Sequence, residues 1–307
     1  MLSEIVNRSR PLPAGSRLLI LGGGFSGTAV AKAVEALGTP VITTRRQPCA
    51  VTGALPFDSA TGRRPSLDSL QGVTHLLSTI PPDRNGQDPV LSRLLPDLKR
   101  LPLQWAGYLS TTGIYGDHQG HWVSEATPAK PGQDRSRRRL DCENAWLNSG
   151  LPVQILRLPG IYGPGRSILN SLRDGRARRI VKPNQVFCRI HVEDIAGACL
   201  HLIHAAANGQ HPTHVNVVDH CPAPSHALLD FGAALLGRPA PETEDFATAS
   251  EGMSAMALSF WAENRRVSND RLCNMLGYKL LHPHFKAGLR DCARQDSLKA
   301  TTSLDHR

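Results

Sequence analysis

The stretch Leu18-Leu19-Ile20-Leu21-Gly22-Gly23-Gly24-Phe25-Ser26-Gly27 decides how this chain folds. A short apolar run enters a glycine-rich turn. Residues 28–37 then repeat apolar side chains at helical spacing (Ala29, Val30, Ala33, Val34, Leu37) and stop at Gly38. Strand, Gly-x-Gly-x-x-Gly turn and helix in that order make the fingerprint of a dinucleotide site. Gly22 permits the tight turn, Gly24 lets backbone approach a pyrophosphate, and Gly27 lets helix and strand pack closely. Phe25 and Ser26 open the helix, whose free amides and partial positive charge face that phosphate.

Outward from this turn the alternation continues. Residues 40–44, 75–80, 105–110 and 153–158 read as strands, and 90–101 and 137–148 as helices, the first weakened by Pro96. The pattern predicts an α/β fold: a doubly wound parallel sheet, Rossmann-like, covered on both faces. Beyond Pro159 the strands at 186–190 and 214–218 stand isolated, and 195–207 reads as a helix returning to the sheet. The expected division places residues 16–166 in a dinucleotide-binding domain, with 190–220 returning to it. Residues 167–189 and 221–294 then form a smaller C-terminal substrate lobe, and 1–15 and 295–307 are tails.

The end of the second strand selects the nucleotide. An acidic residue there would hydrogen-bond the ribose 2′-OH of NAD, but the chain reads Thr43-Thr44-Arg45-Arg46. Two guanidiniums suit a 2′-phosphate, so NADP is expected ahead of NAD. The alternative is a solvated loop with two surface arginines.

Composition bounds the rest. In 307 residues, 40% hydrophobic and 20% charged content is globular rather than disordered. The net charge of +9 favours anionic partners, and its dispersal in short clusters favours a phosphate-binding pocket over a nucleic-acid surface. The seven cysteines show neither C-x-x-C nor zinc-like spacing, which fits buried thiols in a reducing compartment. Residues 1–15 lack the apolar core of a signal peptide, and no apolar run is long enough to span a membrane. The expected location is cytoplasmic.

Four blocks follow in order: Leu109-Ser110-Thr111-Thr112-Gly113-Ile114-Tyr115-Gly116-Asp117, Arg157-Leu158-Pro159-Gly160-Ile161-Tyr162-Gly163-Pro164-Gly165, Arg189-Ile190-His191-Val192-Glu193-Asp194-Ile195-Ala196 and His214-Val215-Asn216-Val217-Val218-Asp219. With the glycine turn they resemble the extended and atypical short-chain dehydrogenase/reductases, the NAD(P)-dependent epimerase/dehydratase-like proteins, from about residue 16 to 289. The resemblance implies that Thr111 bonds the substrate oxygen. It sets the second block, with Pro159, beside the nicotinamide; Thr79, closing its strand, joins the cofactor residues. In the extended family the lobe clamps a nucleotide-sugar phosphate, a role assigned here to Arg166, Lys182 and Arg189, with His191 beside them. A basic solvated face is the alternative.

One departure matters. The family's catalytic pair is Y-x-x-x-K, and this region reads Arg135-Ser136-Arg137-Arg138-Arg139-Leu140-Asp141-Cys142-Glu143, with Arg135 in the tyrosine position. A guanidinium stays protonated at neutral pH and is a poor general acid or base. Tyr115 is the first candidate proton donor instead, followed by His118, Tyr162 and His191; Arg139 would lower a neighbouring phenol's pKa. In plainer readings Tyr115 packs against the turn and His191 anchors the next helix. The four tryptophans read as packing residues.

The leading expectation is an NADP-dependent oxidoreductase or epimerase/dehydratase-like enzyme acting on a small, anionic carbonyl or sugar-derived substrate. The alternative is a non-catalytic NADP-binding regulator or assembly factor that has lost the Tyr-Lys pair. RNA binding comes third: the charge permits it, and no RNA-reading aromatic motif supports it. The helix around 137–146 offers a homodimer contact.

Overall fold

A computed structural model of the chain describes residues 3–47 and 53–304; Cys49 lies outside them. The first half runs α1 (Ser3–Arg8), β1 (Leu18–Leu21), α2 (Phe25–Ala36), β2 (Val41–Arg45), β3 (Leu55–Pro56), β4 (His75–Ser78), α3 (Pro89–Leu98), β5 (Trp105–Thr111), β6 (Trp122–Val123) and α4 (Asp134–Leu147). Then come β7 (Val153–Leu158), β8 (Gly160–Tyr162), α5 (Ile168–Arg173), β9 (Arg179–Val181), β10 (Arg189–His191), α6 (Val192–Ala207) and β11 (His214–Asn216). The chain closes with α7 (Ser225–Leu235), β12 (Thr243–Asp245), α8 (Phe246–Glu251), α9 (Ala255–Trp261), β13 (Arg266–Val267) and α10 (Phe285–Leu304).

Among the described residues, seven strands form one parallel sheet in the order β11-β7-β5-β4-β1-β2-β3. The strand order reverses between β1 and β4, where Leu21 pairs with Ser78. In a doubly wound sheet, ligands bind outside the carboxyl ends of the strands at such a switch point. The sheet is covered on both faces, as the apolar runs predict. Leu18 and Ile20 face the core under α2 and α6 with Val30, Val34 and Ile195. Leu19 and Leu21 face the opposite core with Val90, Leu94, Tyr108 and Trp146. Each such aliphatic side chain contributes roughly 1.5–3 kcal/mol by burial.

Local chemistry places the helices around the sheet. Asp88 caps α3 by accepting from the amides of Val90 and Leu91, both at 2.9 Å, with Pro89 in the first turn. Its other oxygen accepts from Trp146 Nε1 at 2.8 Å, tying α3 to α4. Pro96 lies inside α3, which ends soon after, at Leu98.

A smaller lobe follows the sheet, with Tyr162, Leu169, Leu228, Phe285 and Leu289 as its core. Two segments expected as tails are built into the molecule. Ile5 of α1 and Leu12 are buried in the core under α2 and α6. Helix α10 runs on to Leu304, held by Arg173–Asp296 at 2.5 Å and by Gln295 donating to Glu193 Oε1 at 3.0 Å. Their polar sequences hide these long-range contacts. No helix of the described residues is long and apolar enough to cross a membrane.

Candidate active site

Two glycines of the turn sit where a side chain would clash, and a third does not. Gly22 adopts φ +103°, and a Cβ there would lie 2.5 Å from Thr79 Oγ1. That hydroxyl donates to Gly22 O at 2.7 Å, so Thr79 braces the turn. A Cβ at Gly27 would lie 2.2 Å from Gly22 O, which no larger residue tolerates. Gly24 differs: it caps α2 without a side-chain bond, and a Cβ there would meet nothing within 4 Å. The space beside Gly24 at the start of α2 is therefore open, and a dinucleotide pyrophosphate would fit there. Arg45 leans over this turn, its Nη2 3.3 Å from Thr28 Oγ1; Arg46 beside it is exposed.

At the carboxyl ends of β5 and β7 opens a cleft of about 720 Å³. Its floor holds Ser110, Thr111 and Pro159; one wall is α4, with Arg135, Ser136 and Arg139, and the other is the lobe. Arg166 joins cleft and turn: it lines the cleft, and its guanidinium sits 5.4 Å from the ring centroid of Phe25 at the start of α2. Thr111 ends β5, and its Oγ1 accepts from Gly113 N at 3.1 Å. Its own hydroxyl hydrogen stays free to donate.

Several expected residues lie elsewhere. Tyr115 is 0% exposed; its hydroxyl donates to Asn216 Oδ1 at 2.8 Å and accepts from Arg157 Nη1 at 3.0 Å. Burial pushes its phenol pKa up despite Arg157, and because the residue does not line the cleft its hydroxyl is out of reach of a ligand there. Arg139 does line the cleft, but its Nη1 donates to Tyr108 OH and Leu109 O at 3.1 and 3.0 Å. The phenol beside it is Tyr108, buried in the core, and burial raises that pKa too.

His191 is fully buried and accepts from Glu193 N at 3.3 Å, capping α6. Burial, with His282 beside it, pushes its pKa down to about 2, so it stays neutral and touches no cleft ligand. This helix-anchoring role replaces the expected substrate contact. Lys182 is spent on Trp261 O at 2.5 Å and on the Phe246 ring. Arg189 reaches the cleft wall, yet its Nη1 is committed to Phe187 O and Ala223 O at 2.8 and 2.9 Å. His118 leans on Tyr115 O, and the Tyr162 hydroxyl is buried without a partner in the lobe core.

The cleft gathers residues that sequence reasoning missed. Glu263 follows α9; its Oε2 accepts from Arg265 Nη1 at 2.7 Å, while its buried Oε1 has no partner. Phe260 and Trp261 line the same wall, with Trp261 edge-on to Phe187 at 5.1 Å. Trp261 is thus no mere packing residue, and Trp122 is 61% exposed. The one signal in the sequence was the density of aromatic and charged residues between 260 and 266. Cys188 also lines the cleft, but burial pushes its thiol up to about 11, which disfavours a nucleophilic thiolate.

No family model matches the chain. Solved structures do. A functionally unknown conserved protein from Silicibacter pomeroyi DSS is 39% identical with a TM-score of 0.81, covering 91% of this chain and 99% of that one. A Methylobacillus flagellatus protein, named for the NAD-dependent epimerases/dehydratases, is 27% identical at TM-score 0.71, over 92% and 99% of the two chains. The human epimerase family protein SDR39U1 (isoform2), solved with NADPH, shares the fold at 23% identity and TM-score 0.70, over 91% and 99%.

Proposed function

The chain belongs to the atypical, NAD(P)-dependent epimerase/dehydratase-like short-chain dehydrogenase/reductases, and from that premise we propose that it is an NADP(H)-dependent enzyme of the cytoplasm. Its reaction is oxidoreduction or epimerase-like chemistry on a small anionic carbonyl or sugar-derived compound held in the cleft at Thr111. The support is one contact: Arg166 lines the cleft while stacking on Phe25 of the glycine turn, so cofactor cradle and substrate space adjoin.

The nucleotide, when bound, supplies hydride transfer at its nicotinamide. The residues of this chain do the rest. With Gly22 forming the turn and Gly27 packing α2 on β1, Gly24 would admit the pyrophosphate to the start of α2, and Arg45 and Arg46 would hold the 2′-phosphate. Thr111 donates its hydroxyl hydrogen to the substrate oxygen, fixed in that role by the amide it accepts. Arg166 attracts the anionic group. The exposed side of α4 is polar, with Arg137, Asp141 and Asn144, so it offers no apolar seam for a homodimer.

NADPH consumption is to be measured against phosphorylated and carboxylated carbonyl compounds, with wild type and Thr111→Ala. Turnover that falls roughly 100-fold in the variant is the expected outcome, the magnitude typical of removing a donor to a reacting oxygen. A second reading, an NADP-binding regulator, draws on the absence of any tyrosine from the cleft lining. Tight NADPH binding without turnover on any compound would decide for it.

A further inference from the structure

We infer that the cleft is shaped for a planar aromatic ligand bearing one carboxylate and one hydrogen-bond donor, a hydroxyaryl carboxylate in chemical class. The inference rests on reading this cleft as the substrate site and adds which substrates it selects.

Three features of the lobe-side wall converge on that class. The first is the ring of Phe260, 57% exposed on α9, a helix with no buried residue. It does no core packing. With Trp261 and Phe187 it gives the cleft an aromatic surface, and aromatic surfaces favour flat aromatic partners in offset or edge contact.

The second is Arg135, whose guanidinium lies 4.0 Å from the Phe260 ring centroid. No described residue hydrogen-bonds that guanidinium, although Glu263 lies within electrostatic reach. Its flat face is taken by the ring while its donor edge stays free, and such an edge matches a carboxylate in bidentate fashion. The residue at the family's tyrosine position thus becomes a ligand anchor rather than an acid.

The third is Glu263. Its side chain is 8% exposed, one oxygen is held by Arg265, and the other lacks any donor. A buried carboxylate oxygen left unpaired is unfavourable, so a hydroxyl or N–H on the ligand completes it. Aromatic wall, free guanidinium and orphan acceptor describe complementary features of a single ligand.

A pyrimidine nucleotide shares this chemistry. The cations present favour the carboxylate: Arg189, Lys182, Arg139 and Arg265 are spent on protein oxygens and Arg166 stacks on Phe25 at the glycine turn, which leaves Arg135 as the guanidinium that no described residue bonds beside the aromatic wall. A diphosphate calls for several charge-assisted contacts, a carboxylate for one fork.

The test is calorimetric titration of the full chain, with and without saturating NADPH. The probes are 4-hydroxycinnamate, cinnamate, 3-(4-hydroxycyclohexyl)propionate, 4-vinylphenol and uridine monophosphate. 4-Hydroxycinnamate is expected to bind about three- to tenfold tighter than the saturated-ring analogue, a preference that Phe260→Ala abolishes. Arg135→Gln should weaken it tenfold or more, towards the affinity of 4-vinylphenol. Glu263→Gln should erase its advantage over cinnamate. Thermal melts confirm that each variant is folded. Equal binding of the saturated-ring analogue, insensitivity to Arg135→Gln, or no binding of any aryl probe would each overturn the inference, as would tighter binding of uridine monophosphate. Probe binding without NADPH binding would sink the enzymatic reading and leave this inference standing; the reverse would do the opposite.

Discussion

Two arginine–glutamate groupings flank the carboxyl end of the sheet, and they differ in one respect. Arg157 of β7 and Glu143 of α4 are 6% and 1% exposed in their side chains and meet at 2.8 Å. Ser110 and Tyr115 fill the remaining valences. In the cleft, Glu263 meets Arg265 at 2.7 Å, but among the described residues its second oxygen has no partner and the Arg135 guanidinium nearby has no hydrogen bond. The first grouping is closed and locks α4 to the sheet. The second is open, with one carboxylate oxygen unpaired among the described residues. Residue type alone does not tell structure from function here; the unmet hydrogen-bonding capacity does.

The largest effect should come from breaking the closed grouping. Arg157→Ala leaves Glu143 buried and uncompensated, at about 3–5 kcal/mol of stability in urea unfolding. Comparable loss in Arg265→Ala would remove the distinction between the two sites. The cofactor turn belongs with the open side. Gly24→Asp should weaken NADPH roughly 100-fold or more, about 2.7 kcal/mol, with an unchanged melting curve, because a side chain there meets only open space. A large stability loss in that variant would contradict the open cradle.

Asp219 tests an intermediate case, an acid both buried and half-satisfied. Burial raises its pKa from 3.8 to about 7, and its Oδ2 has no partner. The folded state then holds a proton that the unfolded chain releases, so this residue's contribution to stability falls as pH rises from 3.8 to about 7. The slope is at most ~1.4 kcal/mol per pH unit and should flatten in Asp219→Asn. An unchanged slope would refute the assignment. The smallest effect belongs to Glu263→Gln, about 1 kcal/mol or less in stability, since the amide keeps an acceptor for Arg265.

The sequence showed the sheet clearly because its signals are local. Leu18–Leu21, the glycines after it and the spacing through Leu37 each act within a few residues, and the structure keeps the strands read at 40–44, 75–80, 105–110 and 153–158 within a residue or two, whereas the one read at 186–190 is reduced to Arg189–His191. Orientation at Thr112–Tyr115 was not legible. A single turn of 3-10 helix swings Tyr115 into the core, where partners 42 and 101 residues away hold it. Glu263 was hidden for the same reason, since it meets α4 only after the lobe folds back. Residues 1–15 and the end of α10 from Gln295 looked like tails because Ile5, Leu12, Gln295 and Asp296 find their partners across the whole chain.

The central claim, a cofactor site specific for the 2′-phosphate, is tested most directly by titrating the protein with NADPH and NADH side by side, in wild type and in Arg45→Ala/Arg46→Ala. Micromolar NADPH binding, with weaker NADH and a preference lost in the double variant, is the predicted result. Binding of neither nucleotide, or equal binding unaffected by the two substitutions, would contradict it.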